Sequence, residues 1–527
     1  MPKTFDIVIA GSGHNALIMA CYLAKAGQSV CVVEKNSKAG GSVATEELTG
    51  PGFKQDVCSV AHSLILGNPL MRNDELQLVS KYGLHYEMPE KLTAIFFDDD
   101  SSIEFYNDID RTCASIAKHS AKDAAAYRAF IENVYQVLDM VVMGMFSVPP
   151  AAGMQAMMMD SSPEGREMMR LQSISSWDMI CENFEHPKVR MALARYASEA
   201  MMNPFDNGTG FGFYLILPYM HKYGMGIPRG GSGALVDALL ACLADHGGTV
   251  MLDSPVNGIK LDGNKATGLI LESGEEILGT KAVVAGLHVT QVFPHMVQGA
   301  TLPPEYTDRL SKIKYATIKP FVVTLALKEP LEFKVGKDTS DFYWVDKCHS
   351  DVEEFAEGLR KLEYGYPVRD FAAYCQMFKT DPTRMPEGKG MMHIYAFAPL
   401  DLKDGGREKW DEIGREVALG FIDDLRQLVT NLDEGNILGM HFRTPLDIIR
   451  YNNALVEADI QHIGFYNWQL GGNRPVPGWA QYKTPVDNLY MTGGSTHPGG
   501  GVTGGPGRNA TQVLMEDLGL DFEKVCG

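Results

Sequence analysis

One stretch near the start, "FDIVIAGSGHNALIMACYLAKAGQSVCVVEKN", constrains this chain more than any other. Phe5–Ala10 reads as a short buried strand, apolar apart from Asp6. Gly11, Ser12, Gly13 and His14 form a tight turn. Asn15 to Ala26 then has helical spacing, with Leu17, Ala20, Cys21 and Ala24 on one face, and Gly27 closes it. Ser29–Val33 is a second buried strand, ending at Glu34. Gly11 permits the turn, and Gly13 lets the backbone approach a pyrophosphate at the positive end of a helix. Glu34 follows at the spacing where a carboxylate accepts hydrogen bonds from ribose hydroxyls. Ala16 stands where G-x-G-x-x-G would end. That position needs only a small residue for helix–strand packing, so the substitution touches packing and not phosphate.

Three further glycine-rich regions bear on which dinucleotide is bound. "EKNSKAGGSVAT" places Gly40, Gly41 and Ser42 just past the second strand, where a loop can wrap a diphosphate already held. Lys35 and Lys38 are available to offset phosphate charge. In "GIPRGGSGALVDALLACLADHGGTVMLDSPVNGIKLDGNKATGLILESGEEILGTKAVVAG" we expect a helix over 234–246. Strands follow at Thr249–Leu252, Val256–Leu261, Ala266–Leu271 and Lys281–Ala285, with Gly263-Asn264 as a hairpin turn. In "TPVDNLYMTGGSTHPGGGVTGGPGRNATQVLMEDLG" a strand at Leu489–Thr492 meets the turn Gly493-Gly494, and a glycine run feeds a helix from Gly507 to Leu518. Such a helix start suits an anionic or carbonyl-rich group, as in a flavin pyrimidine.

On "GSGHNAL", "VVEKNSKAGGSVATEEL", "GIPRGGSGALVDAL" and "RPVPGWAQYKTPVDNLYMTGGSTHPGGGVTGGPGRNA" the chain resembles the phytoene desaturase-related branch of the FAD-dependent, amine oxidase-like flavoproteins. These motifs lie at both ends and the centre, in the family's order. The resemblance implies an α/β protein: a Rossmann-type FAD-binding domain interleaved with an α+β substrate-binding domain. FAD segments would span 1–60, 226–290 and 466–527. A Met-rich substrate or cap region would take 61–225, and a second substrate region 291–465. It also implies non-covalent FAD. Gly11, Ser12, Gly13 and Asn15 would hold the pyrophosphate, with His14 and Ala16 completing the turn. Glu34 would take the ribose, with Lys35 beside it. Gly40, Gly41 and Ser42 would line the diphosphate and ribityl side, and Val256 would meet the adenine through its backbone. Gly493 and Gly494 would sit near the ribityl phosphate, with Gly501, Val502, Thr503 and Gly504 beneath the flavin pyrimidine. The departures are Ala16, Ser42 where many relatives carry Arg or Ala, and the Met-rich middle.

That middle holds a heavy share of the 28 methionines, in "LDMVVMGMF", "GMQAMMMD", "EMMRLQ" and "EAMMNPF". Methionine suits core helices, a pocket for a bulky apolar molecule, or a peripheral membrane face. "FGFYLILPYMHKYGMG" is expected as a strand lining the cavity. His62, Tyr466 and His497 are the candidate catalytic residues, by their places relative to the flavin motifs, and Trp468 joins Tyr466 as a candidate pocket wall. No cluster has metal-ligand spacing, and no nucleophile motif is present.

The excess of 66 acidic over 47 basic residues argues against a nucleic-acid surface. Nine cysteines without a C-x-x-C pair, and a first strand starting near Phe5, fit a reduced, cytoplasmic setting with membrane association left open. The expected activity is FAD-dependent desaturation or oxidation of a small apolar, cyclic or isoprenoid-like substrate, with oxygen or a quinone taking the electrons. The alternatives are a cyclic-ketone desaturase, a flavin amine oxidase, or a redox-silent binding protein of the Rab escort and GDP-dissociation-inhibitor type.

Overall fold

The computed structural model describes residues 2–334, 341–377 and 379–527. The opening unit forms Lys3–Ala10, the helix His14–Lys25 and Val30–Val33. These strands sit at the centre of a seven-stranded sheet. Lys3–Ala10 pairs in parallel with both Val30–Val33 and Glu276–Ala285. Thr249–Met251 and Leu489–Met491 extend the parallel part on either side. An antiparallel hairpin, Val256–Asp262 and Lys265–Leu271, turns at Gly263-Asn264 as its sequence predicts. Pieces of chain separated by some 270 and 480 residues thus lie in one sheet, because each parallel strand needs a crossover.

The opening helix is not amphipathic. Asn15 through Ala24 are all buried, where one apolar face was expected. The helices Gly233–Asp245 and Gly505–Asp517 pack against it while the sheet covers the remaining side, so its whole circumference faces protein. Space here is tight. A Cβ at Gly507 would come 2.4 Å from the Asn15 carbonyl oxygen, and one at Gly286 would come 2.8 Å from the Ala16 Cβ.

A second seven-stranded sheet runs Ile437–Arg443, Lys319–Leu327, Gly390–Ala398, Ala372–Gln376, Trp344–Lys347, Lys91–Phe96 and Ser102–Tyr106. Helices Ala121–Met145, Ser176–Asn183, Pro187–Ala197 and Gly210–Tyr223 share a large apolar core with it. The segment expected as a cavity-lining strand is this last helix. Aromatic and aliphatic residues in unbroken succession suit either state, and its fourteen residues exceed a usual strand. The methionines divide between inside and outside. Met179, Met191, Met201 and Met202 are buried, whereas Met143, Met157 and Met158 are more than 60% exposed. Among the described residues no helix is long and apolar enough to cross a membrane.

Buried ion pairs hold the regions together. Arg384 pairs with Asp56, both fully buried, and Asp56 also accepts the Ser232 N–H at 2.7 Å. Arg508 grips Glu75 through two nitrogens, each at 2.8 Å.

Candidate active site

The strand ends of the first sheet open into a crevice of about 220 Å³. Gly11 through Ala16, Glu34, Lys35, Gly40 through Ser42, Val256, Gly493 and Gly494 all line it, so those expected residues converge from four stretches of chain. The two glycine loops are bonded to each other: the Gly40 N–H donates to the Ser12 carbonyl at 3.0 Å. At Gly40 (φ +117°) a Cβ would meet the Val43 carbonyl oxygen at 2.6 Å, so only glycine fits. At Gly13 a Cβ would meet nothing within 4 Å, leaving open space where backbone and ligand would approach.

Glu34 has a role its spacing alone did not reveal. Its Oε2 accepts the Ser12 N–H at 3.0 Å and the Ser12 hydroxyl at 2.7 Å, while Oε1 accepts the Asn36 N–H at 2.9 Å. The carboxylate therefore shapes the turn as well as facing the crevice. Lys35 is exposed and donates to Asn453 at 2.8 Å.

The crevice runs into a second, largely apolar cavity of about 290 Å³, and His14, Asn15, Ser42, His462 and Gly494 belong to both. Gly501 and Val502 line this second cavity. Thr503 and Gly504 line neither. The Thr503 carbonyl accepts the Asn68 side-chain N–H at 2.9 Å, and Gly504 caps the C-terminal helix. The far wall comes from the second sheet and its helices, including Tyr196, Ile216, Met220, Trp344 and Tyr395.

His462 was missed in sequence and lies where the cavities meet. Its ring stacks on His288 with planes 7° apart, and its carbonyl accepts the His288 Nε2–H at 2.8 Å. Arg474, fully buried, donates to the carbonyls of Gln461, Ile463 and Gly494, binding two loops of the junction. No local motif marks His462; Arg474 opens the last of the glycine-rich motifs, but its partners are tertiary. His14 Nε2 and His462 Nδ1 are buried without a partner among the described residues. Burial lowers both histidines, His14 to about 4, so each is a neutral imidazole near pH 7. Cys58 also lines the cavity, and burial pushes its thiol up to about 11.

The three catalytic candidates are not at this junction. His62 is fully buried, with Nδ1 at 3.1 Å from the Tyr86 hydroxyl and Nε2 at 3.0 Å from Ser232 Oγ. Both nitrogens are thus engaged in protein contacts, and burial lowers the ring to about 3. Tyr466 is 2% exposed and donates to Asp206 at 3.3 Å, away from both cavities. Trp468 stacks on Tyr466 but is 51% exposed on the surface, so neither aromatic lines the pocket. His497 Nε2 donates to the Gly144 carbonyl at 2.9 Å and serves to pack the C-terminal loop. Neighbours in sequence such as Ala61, Ser63 and Gly500 do line the cavity, so the loops reach it while the three named side chains point elsewhere.

Open space at Gly13, two unpartnered imidazole nitrogens and a helix start at the crevice suit a bound dinucleotide whose ring system reaches the junction. Residues 17–505 match the family of flavin containing amine oxidoreductases. The chain is 25% identical to pyridine nucleotide-disulfide oxidoreductase domain-containing protein 2 of Rattus norvegicus, covering 98% of this chain and 94% of the relative. It is 23% identical to one of the subunits of the limonene dehydrogenase of Castellaniella defragrans (99% and 96%), and 24% identical to the lycopene-forming phytoene desaturase of Pantoea ananas (97% and 99%). A redox-silent binding protein is not favoured by this company. A crevice made for a dinucleotide and a match over most of the length have one joint meaning: this chain belongs to the flavin-containing amine oxidoreductases and is an FAD-dependent oxidoreductase related to the phytoene desaturases.

Proposed function

We propose that the protein desaturates an apolar, cyclic or isoprenoid-like substrate, removing a hydride and a proton from adjacent carbons to leave C=C. The observation that carries this reading is the wall of the larger cavity, which is apolar around Ile216, Met220, Met225 and Val322 and continuous with the FAD crevice. Relatives named for limonene and phytoene lend it support. FAD, bound without a covalent link, supplies the hydride acceptor.

The chain's own residues orient and desolvate. Met220 and Met225 adapt to an irregular apolar body. His14 and His462 stand at the junction of the two cavities, where the reacting carbons would lie. Protonating His14, whose imidazole is lowered to about 4, costs roughly 4 kcal/mol at pH 7, and His462 is lowered by burial in the same direction. Such a weak base suits a substrate in which hydride loss leads and the proton leaves from a stabilised cation. It suits less well the removal of an unactivated proton. Segments 1–60, 226–290 and 466–527 act as the FAD domain, and 61–225 and 291–465 hold the substrate. Oxygen or a quinone re-oxidises the flavin.

The test is anaerobic mixing of holoenzyme with cyclic terpenes, polyenes, cyclic ketones and amines while following the oxidised-flavin absorbance. Hydrocarbons should bleach it. Bleaching by amines alone would overturn the desaturase reading.

A further inference from the structure

The larger cavity carries acidic side chains at a wall formed by the second sheet and its helices, and nothing in hydride transfer uses them. Glu199 and Asp346 both line it; among the described residues no Lys or Arg does. Asp346, on the strand Trp344–Lys347, is 4% exposed and spends Oδ1 on Arg195 at 3.0 Å. Its Oδ2 has no partner among the described residues. Arg195 is 1% exposed, lies behind the wall with its guanidinium 4.8 Å from the Phe397 ring centroid, and donates to Glu199 Oε1 as well. Glu199 Oε2 is likewise unpartnered, and its side chain is 36% accessible. One guanidinium thus faces two carboxylates beside apolar surface. Burial, with the Glu199 carboxylate nearby, pushes the Asp346 carboxyl up to about 7 in spite of Arg195. The junction residues shared with the FAD crevice come from other loops and include neither acid.

We infer that Glu199 and Asp346 together receive a hydrogen-bond-donating head group, a hydroxyl or an ammonium, on the substrate's end remote from the flavin. The substrate is then an apolar body with one donor terminus. This rests on the desaturase reading above and narrows it. A wall built to accept a donor leaves its acceptors unpaired when the analogue lacks one, and so discriminates against it.

Limonene, perillyl alcohol and perillylamine share one ring skeleton and differ in a methyl, hydroxymethyl or aminomethyl terminus. Their dissociation constants are to be measured on anaerobic holoenzyme from the flavin absorbance change. The alcohol or the amine should bind roughly ten-fold more tightly than limonene, or better. The preferred one of the two identifies the head group. Glu199→Gln should collapse that ratio towards one, and Asp346→Asn should do the same if it folds. Limonene binding as tightly as both donors, or an unchanged ratio in Glu199→Gln, overturns the head-group proposal and leaves the desaturase reading standing. If none of the three perturbs the flavin while other apolar ligands do, the head-group proposal again falls alone. If no apolar ligand does, both fall.

Discussion

The crevice and the cavity meet at His14 and His462 but are built on opposite plans. The crevice exposes backbone at Gly11, Gly13, Gly40, Gly41, Gly286, Gly493 and Gly494. Its walls are glycine turns, and its geometry is held by main-chain bonds such as Gly40 to Ser12 and by Glu34 under the first turn. The cavity is a side-chain surface, with Tyr196, Trp344 and Tyr395 projecting from elements that belong to a different core. A ligand held by backbone can be read the same way in many proteins, because backbone has no identity to vary. A ligand held by side chains is redefined with each substitution. The first region can stay fixed for FAD while the second changes with the substrate.

The largest expected effect breaks both regions together. His288 lies on the crevice side and His393 in the second sheet; both are buried and lowered, to about 4 and about 3. A group that binds its proton more weakly when folded gives stability that rises with pH between its folded and unfolded values. It is lost as pH falls from about 6.5 towards 4. Acidification from pH 7 to 5 should therefore destabilise the protein by roughly 2 kcal/mol for each such histidine, seen as a falling thermal midpoint. His393 has both ring nitrogens unpartnered among the described residues, so His393→Leu should flatten the profile; an unchanged slope would remove it as a contributor.

Next in size is a change confined to the crevice. Gly40→Ala forces a Cβ into the Val43 carbonyl at a φ that disfavours it, costing about 2–3 kcal/mol and loosening FAD. The denaturation midpoint and the ratio of flavin to protein absorbance after gel filtration check it. Retention of a full complement of FAD would show that the crevice tolerates more than its backbone plan implies.

The smallest effect belongs outside both. Tyr466→Phe removes only a hydroxyl paired with Asp206, so anaerobic flavin reduction should change less than about two-fold. A larger fall would return Tyr466 to the reacting groups.

The difference between the regions also explains what could be read from residues alone. The turn at Gly11–His14 and the loop at Gly40–Ser42 are legible because each is a local answer to a local demand, a left-handed backbone or close approach to phosphate. The cavity wall has no such signature. Thr93 and Trp344 face each other in register across parallel strands some 250 residues apart, and no spacing encodes that meeting. His62 and Tyr466 attracted attention by lying beside the right loops, but burial and their own hydrogen bonds turn them away. The helix Gly210–Tyr223 was misread because an unbroken apolar run carries no period.

The absent third glycine has a consequence at Gly286. Ala16 places its methyl where a Cβ on Gly286 would lie 2.8 Å away, the tightest contact at a position whose backbone is not left-handed and whose next neighbour is the Ala10 carbonyl oxygen at 3.2 Å. Only one methyl fits between the opening helix and the end of the strand Glu276–Ala285. Across relatives these two positions should therefore covary: glycine at 16 relieves the tightest contact at 286, and alanine at both is disfavoured. The fingerprint's third glycine has moved along the chain, and its constraint now acts 270 residues away.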